Sequence, residues 1–337
     1  MNPTFRLSIA VPVRNEAGSL PELLRRICAV IDGIAGGPHE LVFVDDGSSD
    51  QTFAILEEAA QRDRRILVIS LSRNFGHQAA LTAALDYVTG DATVVMDGDL
   101  QDVPEMIPQL VERHREGYDV VYAQRVHRKE PWALRLCYFV FYRFIASLSD
   151  VRLPLDAGDF GLMSRRVIDQ LRRMPERHRY LRGIRAWVGF RQTGLPIERG
   201  ERLSGRSKYG FLRLMKLAAD GIFAFSTVPI RAAAVVGAVV SALSALYVVY
   251  ALYAKLFLRE SPQGFTALIV AVTFLSGVLL FFMGVVGEYV GRIYEEIKAR
   301  PLYIVSRVVG GPSSSGSGDT GARALRQERS LEREFLR

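Results

Sequence analysis

The chain has 337 residues, 49% of them hydrophobic and 23% charged, with a formal net charge of +7. That length holds one domain of about 200–250 residues and a further part besides. Two cysteines, Cys28 and Cys137, exclude a disulfide framework or a cysteine-rich zinc site and fit a reducing compartment.

The first six residues lead straight into a strand, so no signal peptide is expected. Residues 7–13 form an apolar strand, and residues 20–31 have helical spacing. A second strand covers residues 41–44. Residues 52–61 form a helix behind Ser48-Ser49-Asp50, a stretch suited to capping. A third strand (66–71), a helix (77–88) and a fourth strand (93–96) follow. Continuous apolar strands between helices predict a mostly parallel α/β sheet covered on both faces.

Residues 131–148 are strongly aromatic, and Trp and Tyr favour the membrane–water boundary, so an interfacial helix is expected there. Residues 211–229 read as a second one. Ala232 to Ala254 then runs 23 residues without a charge, and Ser261 to Gly287 runs 27 more. A bilayer core needs roughly 20 apolar residues per helix, so a C-terminal two-helix transmembrane hairpin is predicted, with spans 230–254 and 261–287. The expected organisation is a cytoplasmic domain over 1–210, the hairpin, a cytoplasmic juxtamembrane segment over 288–309, and a flexible Gly/Ser-led tail over 310–337.

Charge is distributed unevenly. Residues 1–124 carry 10 Lys/Arg against 19 Asp/Glu, whereas residues 125–216 carry 21 against 8. A basic block before the first span favours the cytoplasmic side for the large domain. Anionic lipid headgroups and phosphorylated substrates are its expected partners. Nucleic acid is not, because no recognition module accompanies the block.

In an open α/β sheet, ligands bind beyond the carboxyl ends of the strands. Here those ends are polar: Pro12-Val-Arg-Asn-Glu16, Asp45-Asp46-Gly47-Ser48, Ser72-Arg73-Asn74, and Asp97-Gly98-Asp99-Leu100-Gln101. On an extended chain, side chains two apart share a side. Asp97, Asp99 and Gln101 are therefore expected to present oxygens together to one hard cation, Mg²⁺ or Mn²⁺. Such an ion is held by one or two carboxylates and otherwise by substrate phosphates. Neither Gly-x-Gly-x-x-Gly nor a Walker-type loop occurs. A phosphate ligand is then left to the metal and to the arginines and lysines beyond residue 125.

Pro12-x-Arg-Asn-Glu16, Val44-Asp-Asp-Gly-Ser-x-Asp-x-Thr52 and Asp97-Gly-Asp-Leu-Gln101 together resemble glycosyltransferase family 2, whose fold is GT-A. Gly158-Asp-Phe-Gly-Leu-Met-Ser-Arg-Arg166 and Arg202-x-x-x-Arg-Ser-Lys-Tyr209, followed by two spans, narrow the likeness to the polyisoprenyl-phosphate glycosyltransferases. The resemblance covers about residues 5–308. It implies nucleotide-sugar binding by Pro12, Arg14, Glu16, Val44, Asp45, Asp46, Asp97, Gly98, Arg202, Arg206 and Lys208. It implies metal ligation by Asp97, Asp99 and Gln101, and acceptor-phosphate contacts by Arg125, Arg143 and Ser147. Asp159 matches the carboxylate often assigned as catalytic base, with Asp99 beside it in the catalytic set and Asp156 a weaker competitor. Gly161 and Ser164 stand where relatives usually carry Arg and Asp, which leaves sugar preference open.

The implied reaction is inverting transfer of a sugar, UDP-glucose being the first expectation as donor, to undecaprenyl phosphate at the bacterial inner membrane. A homo-oligomer, with a tetramer as the expectation, completes the partners. Two alternatives stand. A processive polysaccharide synthase would carry more spans and a Gln-x-x-Arg-Trp motif. A non-catalytic nucleotide-binding scaffold would not need Asp97 or Asp99.

Overall fold

A computed structural model describes residues 4–125, 157–174, 176–177, 179–197, 228–253, 257 and 264–311. Within these, eight strands form one sheet in the order β7-β5-β6-β4-β1-β2-β3-β8. The strands are β1 (Leu7–Val13), β2 (Glu40–Asp45), β3 (Ile66–Leu71), β4 (Ala92–Val95), β5 (Val120–Arg125), β6 (Ala157–Ser164), β7 (Gln192–Ile197) and β8 (Val305–Gly310). The central strands β4, β1, β2 and β3 run parallel, as does β5 with β7, while β6 and β8 run antiparallel to their neighbours. Every residue of β1, β2 and β4 is buried, as a strand covered on both faces requires.

Helices α1 (Leu20–Asp32), α2 (Thr52–Arg62) and α4 (Ile107–Arg115) cover one face. There Leu20, Leu23, Ile27 and Ile31, one helical stripe, join Leu56, Ile107 and Leu110 over the strands. Helices α3 (His77–Tyr87), α5 (Arg165–Arg172) and α6 (Leu181–Trp187) cover the other face with Ala80, Leu81, Ala84, Val167, Ile168, Leu171 and Ile184.

The hairpin consists of α7 (Val228–Tyr253) and α8 (Phe265–Ile297), 26 and 33 residues long. At 1.5 Å per residue both exceed the roughly 30 Å of a hydrocarbon core. Large apolar side chains such as Leu243, Leu279 and Phe281 stand exposed along them, which suits a lipid surround rather than water. The expected interfacial helices, 131–148 and all but the last two residues of 211–229, lie outside the described residues.

The C-terminal expectation needs correcting. Residues 288–309 are not merely a juxtamembrane segment, and the tail does not begin at 310. Helix α8 continues through Glu288 and Arg292, an i,i+4 pair at 2.9 Å, and the chain then returns to the sheet as β8. The physical reason is the open edge of β3, whose unpaired backbone groups need a partner. Short β8 supplies it in antiparallel register, Val68 opposite Val309. The turn between α8 and β8 is anchored as well. Tyr303 donates its hydroxyl to Asp86 on α3 at 2.8 Å, the Ser72 N–H donates to the Ile304 carbonyl at 2.9 Å, and Arg177 donates to the carbonyls of Glu295 and Arg300.

Candidate active site

The carboxyl ends of β1, β2, β3 and β4 lie side by side, so their polar loops meet along one edge. Pro12 pairs with Val44, and Val13 with Asp45, which sets the ends of β1 and β2 level. The loops are stitched to one another. The Asn15 N–H donates to Ser48 Oγ (3.0 Å), the Ser49 N–H to Asn15 Oδ1 (2.8 Å), and the Glu16 N–H to Thr52 Oγ1 (2.8 Å). Asn15 adopts φ 55°, a left-handed turn that Asn tolerates. Ser19 Oγ lies 2.9 Å from Glu16 Oε2 and 3.0 Å from the Gly98 carbonyl, which ties the first loop to the fourth.

Asp45 and Asp46 are both buried. Asp45 accepts the Ser48 N–H at 3.1 Å and the Ser70 hydroxyl at 3.3 Å. Asp46 accepts the N–H groups of Phe75 (2.7 Å) and Gly76 (3.0 Å), which fixes the loop from β3 into α3. Burial pushes the Asp46 carboxyl up, against the pull of those two N–H groups. Arg14 stays exposed at the lip.

The alternation expected of Asp97, Asp99 and Gln101 does not hold. Strand β4 ends at Val95, Gly98 and Asp99 form a turn, and Leu100 takes φ 60°. A Cβ on Gly98 would meet Val13 Cγ1 at 2.7 Å, so the turn folds flat onto β1 only with glycine there. Asp99 Oδ1 accepts the Gln101 N–H at 3.1 Å, and Asp102 Oδ2 accepts the Asp97 N–H at 3.0 Å. The turn brings Asp97 and Gln101 to one cleft with Asp102, and Asp99, which braces the turn through the Gln101 N–H, is not in its lining. Asp97, Gln101 and Asp102 line this small cleft together with Ala123, Gly158, Asp159, Phe160, Arg182 and Ile197.

Asp159 faces the acidic turn across this cleft. Arg182 Nε and Nη2 donate to its two oxygens at 2.7 and 2.8 Å, a bidentate fork. His77 Nε2 lies 3.8 Å from Asp159 Oδ2 and 3.7 Å from Asp97 Oδ1. Burial alone would raise the Asp159 carboxyl, but His77 and Arg182 outweigh it and hold the group well below the usual carboxylate range. Asp159, with Asp97 behind it, in turn holds His77 above the ordinary histidine value.

The donor set fits a hard cation. Carboxylate and amide oxygens suit Mg²⁺ or Mn²⁺ rather than a soft metal. Among the described residues no three of His, Cys, Asp and Glu converge into a closed cage, and a phosphate-sharing Mg²⁺ site needs only one or two carboxylates.

Arg125 ends β5 opposite Ile197. Arg143, Ser147, Asp156, Arg202, Arg206 and Lys208 lie outside the described residues. Sequence reasoning missed His77, Asp102 and Arg182. His77 opens the helix after β3 on the same sheet edge, so the edge rule had the means to include it. Arg182 had no such signal, because helix α6 joins the site only through the tertiary fold.

The profile of Glycosyl transferase family 2 matches residues 8–172, and that of the GtrB C-terminal hairpin matches residues 228–293. The glycosyltransferase YkcC of Bacillus subtilis is 44% identical over 92% of this chain and 96% of its own. The prophage bactoprenol glucosyl transferase homolog of Escherichia coli is 36% identical over 90% and 99%, and the bactoprenol glucosyl transferase of Shigella phage SfV is 38% identical over 89% and 98%. Among solved structures, glucosyl-3-phosphoglycerate synthase from Mycobacterium tuberculosis, in complex with Mn²⁺, UDP-glucose and phosphoglyceric acid, is 22% identical. Its TM-score is 0.42, over 66% of this chain and 78% of that one. With relatives aligned along nearly its whole length, the chain belongs to glycosyltransferase family 2 and is a glycosyltransferase with a GT-A type sheet and a GtrB-type hairpin.

Proposed function

We propose that the protein transfers a sugar, glucose from UDP-glucose, to undecaprenyl phosphate at the cytoplasmic face of the bacterial plasma membrane. The observation that carries this reading is the cleft in which Asp97, Gln101 and Asp102 face the Asp159–Arg182 pair, in a chain that also carries an apolar hairpin. The names of the bactoprenol glucosyl transferases support both the sugar and the lipid carrier.

The loops after β1 and β2 hold the nucleotide, with Arg14 and Glu16 at the lip and Pro12, Val44, Asp45 and Asp46 beneath. Asp97, Asp99 and Gln101 are assigned to hold Mg²⁺ or Mn²⁺ beside the donor diphosphate, a reading that the cleft position of Asp97 and Gln101 supports. When bound, that ion neutralises the charge of the leaving group as a Lewis acid. Arg202, Arg206 and Lys208 add positive charge for the same diphosphate, and Arg125, Arg143 and Ser147 serve the lipid phosphate. An oxygen of that phosphate bonds to the anomeric carbon as the bond to the diphosphate oxygen breaks on the opposite side, which inverts the configuration.

The attacking phosphate has its second pKa near about 6, so it is mostly dianionic at neutral pH and needs little help from a base. Asp159, with both oxygens engaged by Arg182, is therefore assigned to orientation and charge rather than to proton removal.

The test is incubation of the purified full-length protein with undecaprenyl phosphate and a panel of radiolabelled UDP- and GDP-sugars. A single lipid-linked glucose is expected, lost in excess EDTA and in Asp97→Ala or Asp99→Ala protein that still inserts into membranes. A polymer product, or full transfer in EDTA, overturns the reading.

A further inference from the structure

We propose that helix α6 is the positioning element of the transfer site, Arg182 fixing the Asp159 carboxylate and Arg185 fixing the peptide that carries it. This rests on the reading of the cleft given above.

The need arises in the sheet. Strand β6 pairs with β5 at Gly161 opposite Tyr122 and at Ala157 opposite Gln124. Between those pairs β5 contributes Ala123 alone, and β6 contributes Gly158, Asp159 and Phe160. Asp159 thus sits in a bulge, where a strand leaves its ladder and its side chain is re-aimed. A carboxylate on such a strand has no precise direction unless something outside the ladder supplies it.

Helix α6 does so twice. Arg182 and Arg185 are three apart and share a helical face. Arg182 grips both Asp159 oxygens, and Arg185 Nη2 donates to the Gly158 carbonyl at 3.2 Å. Arg185 is 4% exposed, its guanidinium lies 5.5 Å from the Tyr122 ring centroid, and its Nε has no hydrogen-bond partner. Burying a guanidinium incompletely satisfied is costly. Here it buttresses the bulge from beneath, against β5. The helix itself is pinned at both ends. The Leu181 N–H donates to Gln78 Oε1 on α3 at 3.1 Å, and Gln192 Nε2 on β7 donates to the Arg185 carbonyl at 3.0 Å. Helix α3 and strand β7 thus hold α6, and α6 holds the carboxylate and the peptide that carries it.

The experiment uses full-length protein with Arg182→Lys, Arg185→Lys and Asp159→Asn, singly and combined, assayed for transfer and for UDP affinity. Each lysine variant keeps the charge, Arg182→Lys losing the fork on Asp159 and Arg185→Lys the bond to the Gly158 carbonyl, and a displacement of about 1 Å at a reacting centre costs on the order of 100-fold. A fall in kcat of about 10- to 100-fold is expected, with donor KM and UDP affinity unchanged. Added to Asp159→Asn, neither lysine change should lower the rate further, because both act through that group. Losses that multiply, or UDP affinity falling in step with kcat, overturn the proposal.

If the wild-type protein transfers nothing to undecaprenyl phosphate, it is the assigned reaction that fails. Amide hydrogen exchange then decides the inference alone. Arg185→Lys should speed exchange at residues 158–161 and leave β1 and β2 unchanged, and an unaltered bulge would overturn it.

Discussion

Replacing Asp46 separates two roles that one carboxylate holds here. Its oxygens accept two N–H groups, from Phe75 and Gly76, and the residue is 3% exposed, so Asp46→Ala leaves the half-buried Phe75 N–H a donor without that partner, while the Gly76 N–H keeps Asn74 Oδ1 at 3.0 Å. Such a donor costs about 1–3 kcal/mol. Release from burying a carboxylate, the largest influence on this group, offsets part of the loss. A net destabilisation of about 1–2 kcal/mol follows. For a domain of this size that is a fall in Tm of roughly 2–8 °C. Asp46→Asn keeps one acceptor oxygen and should lose about half as much. Differential scanning fluorimetry with and without UDP, alongside UDP affinity by calorimetry, reads both roles. The expected order of stability is wild type, then Asn, then Ala, in the absence of nucleotide as well as in its presence. An Asp46→Ala protein with unchanged Tm and abolished UDP binding would refute the anchoring argument and leave the residue a ligand contact only.

Gly161→Ala should destabilise by about 1–3 kcal/mol, because its Cβ would meet the Val121 carbonyl at 2.6 Å; chemical denaturation measures it, and a neutral variant contradicts the packing. Asp119 is buried, which by itself raises its carboxyl, yet Arg166 and Ser164 hold it below the ordinary value. Its folded pKa is therefore depressed, so its stabilising contribution is complete above about pH 4 and fades as pH falls further through the folded value. Asp119→Asn should flatten the acid limb of a stability–pH curve in that window and nowhere else. Tyr303→Phe strips Asp86 of its hydroxyl donor and should cost about 1–2 kcal/mol, seen as easier proteolysis between α8 and β8. Transfer by a chain ending at residue 298, at wild-type rate and stability, would show that β8 is dispensable.

The parts of the fold legible in the sequence are those whose signal is local. Leu20, Leu23, Ile27 and Ile31 trace the helical stripe that the structure buries, and the unbroken apolar runs of β1 and β2 become central strands. Strands β5 to β8 escaped, β6 and β8 for reasons the structure makes plain. Ala-Gly-Asp-Phe-Gly-Leu-Met-Ser carries two glycines and a charge because it bulges at the site, and Val-Ser-Arg-Val-Val-Gly is a strand only because β3 offers an edge. The candidate site divides the same way. The polar strand ends named their own edge of the sheet. Arg182, distant in sequence from Asp97, reaches the cleft only through the packing of α6, and the true shape of the Asp97–Gln101 turn depends on Gly98 lying against Val13.

The chain leaves the sheet at β7, one outer strand, and re-enters it after the hairpin at β8, the other. The membrane helices are thus an insertion between opposite rims rather than a trailing anchor. A body joined to the hairpin through both outer strands of its sheet is held by two connections rather than by a single tether. It follows that a cut placed before the hairpin cannot release the whole sheet, since the eighth strand would stay behind with the hairpin.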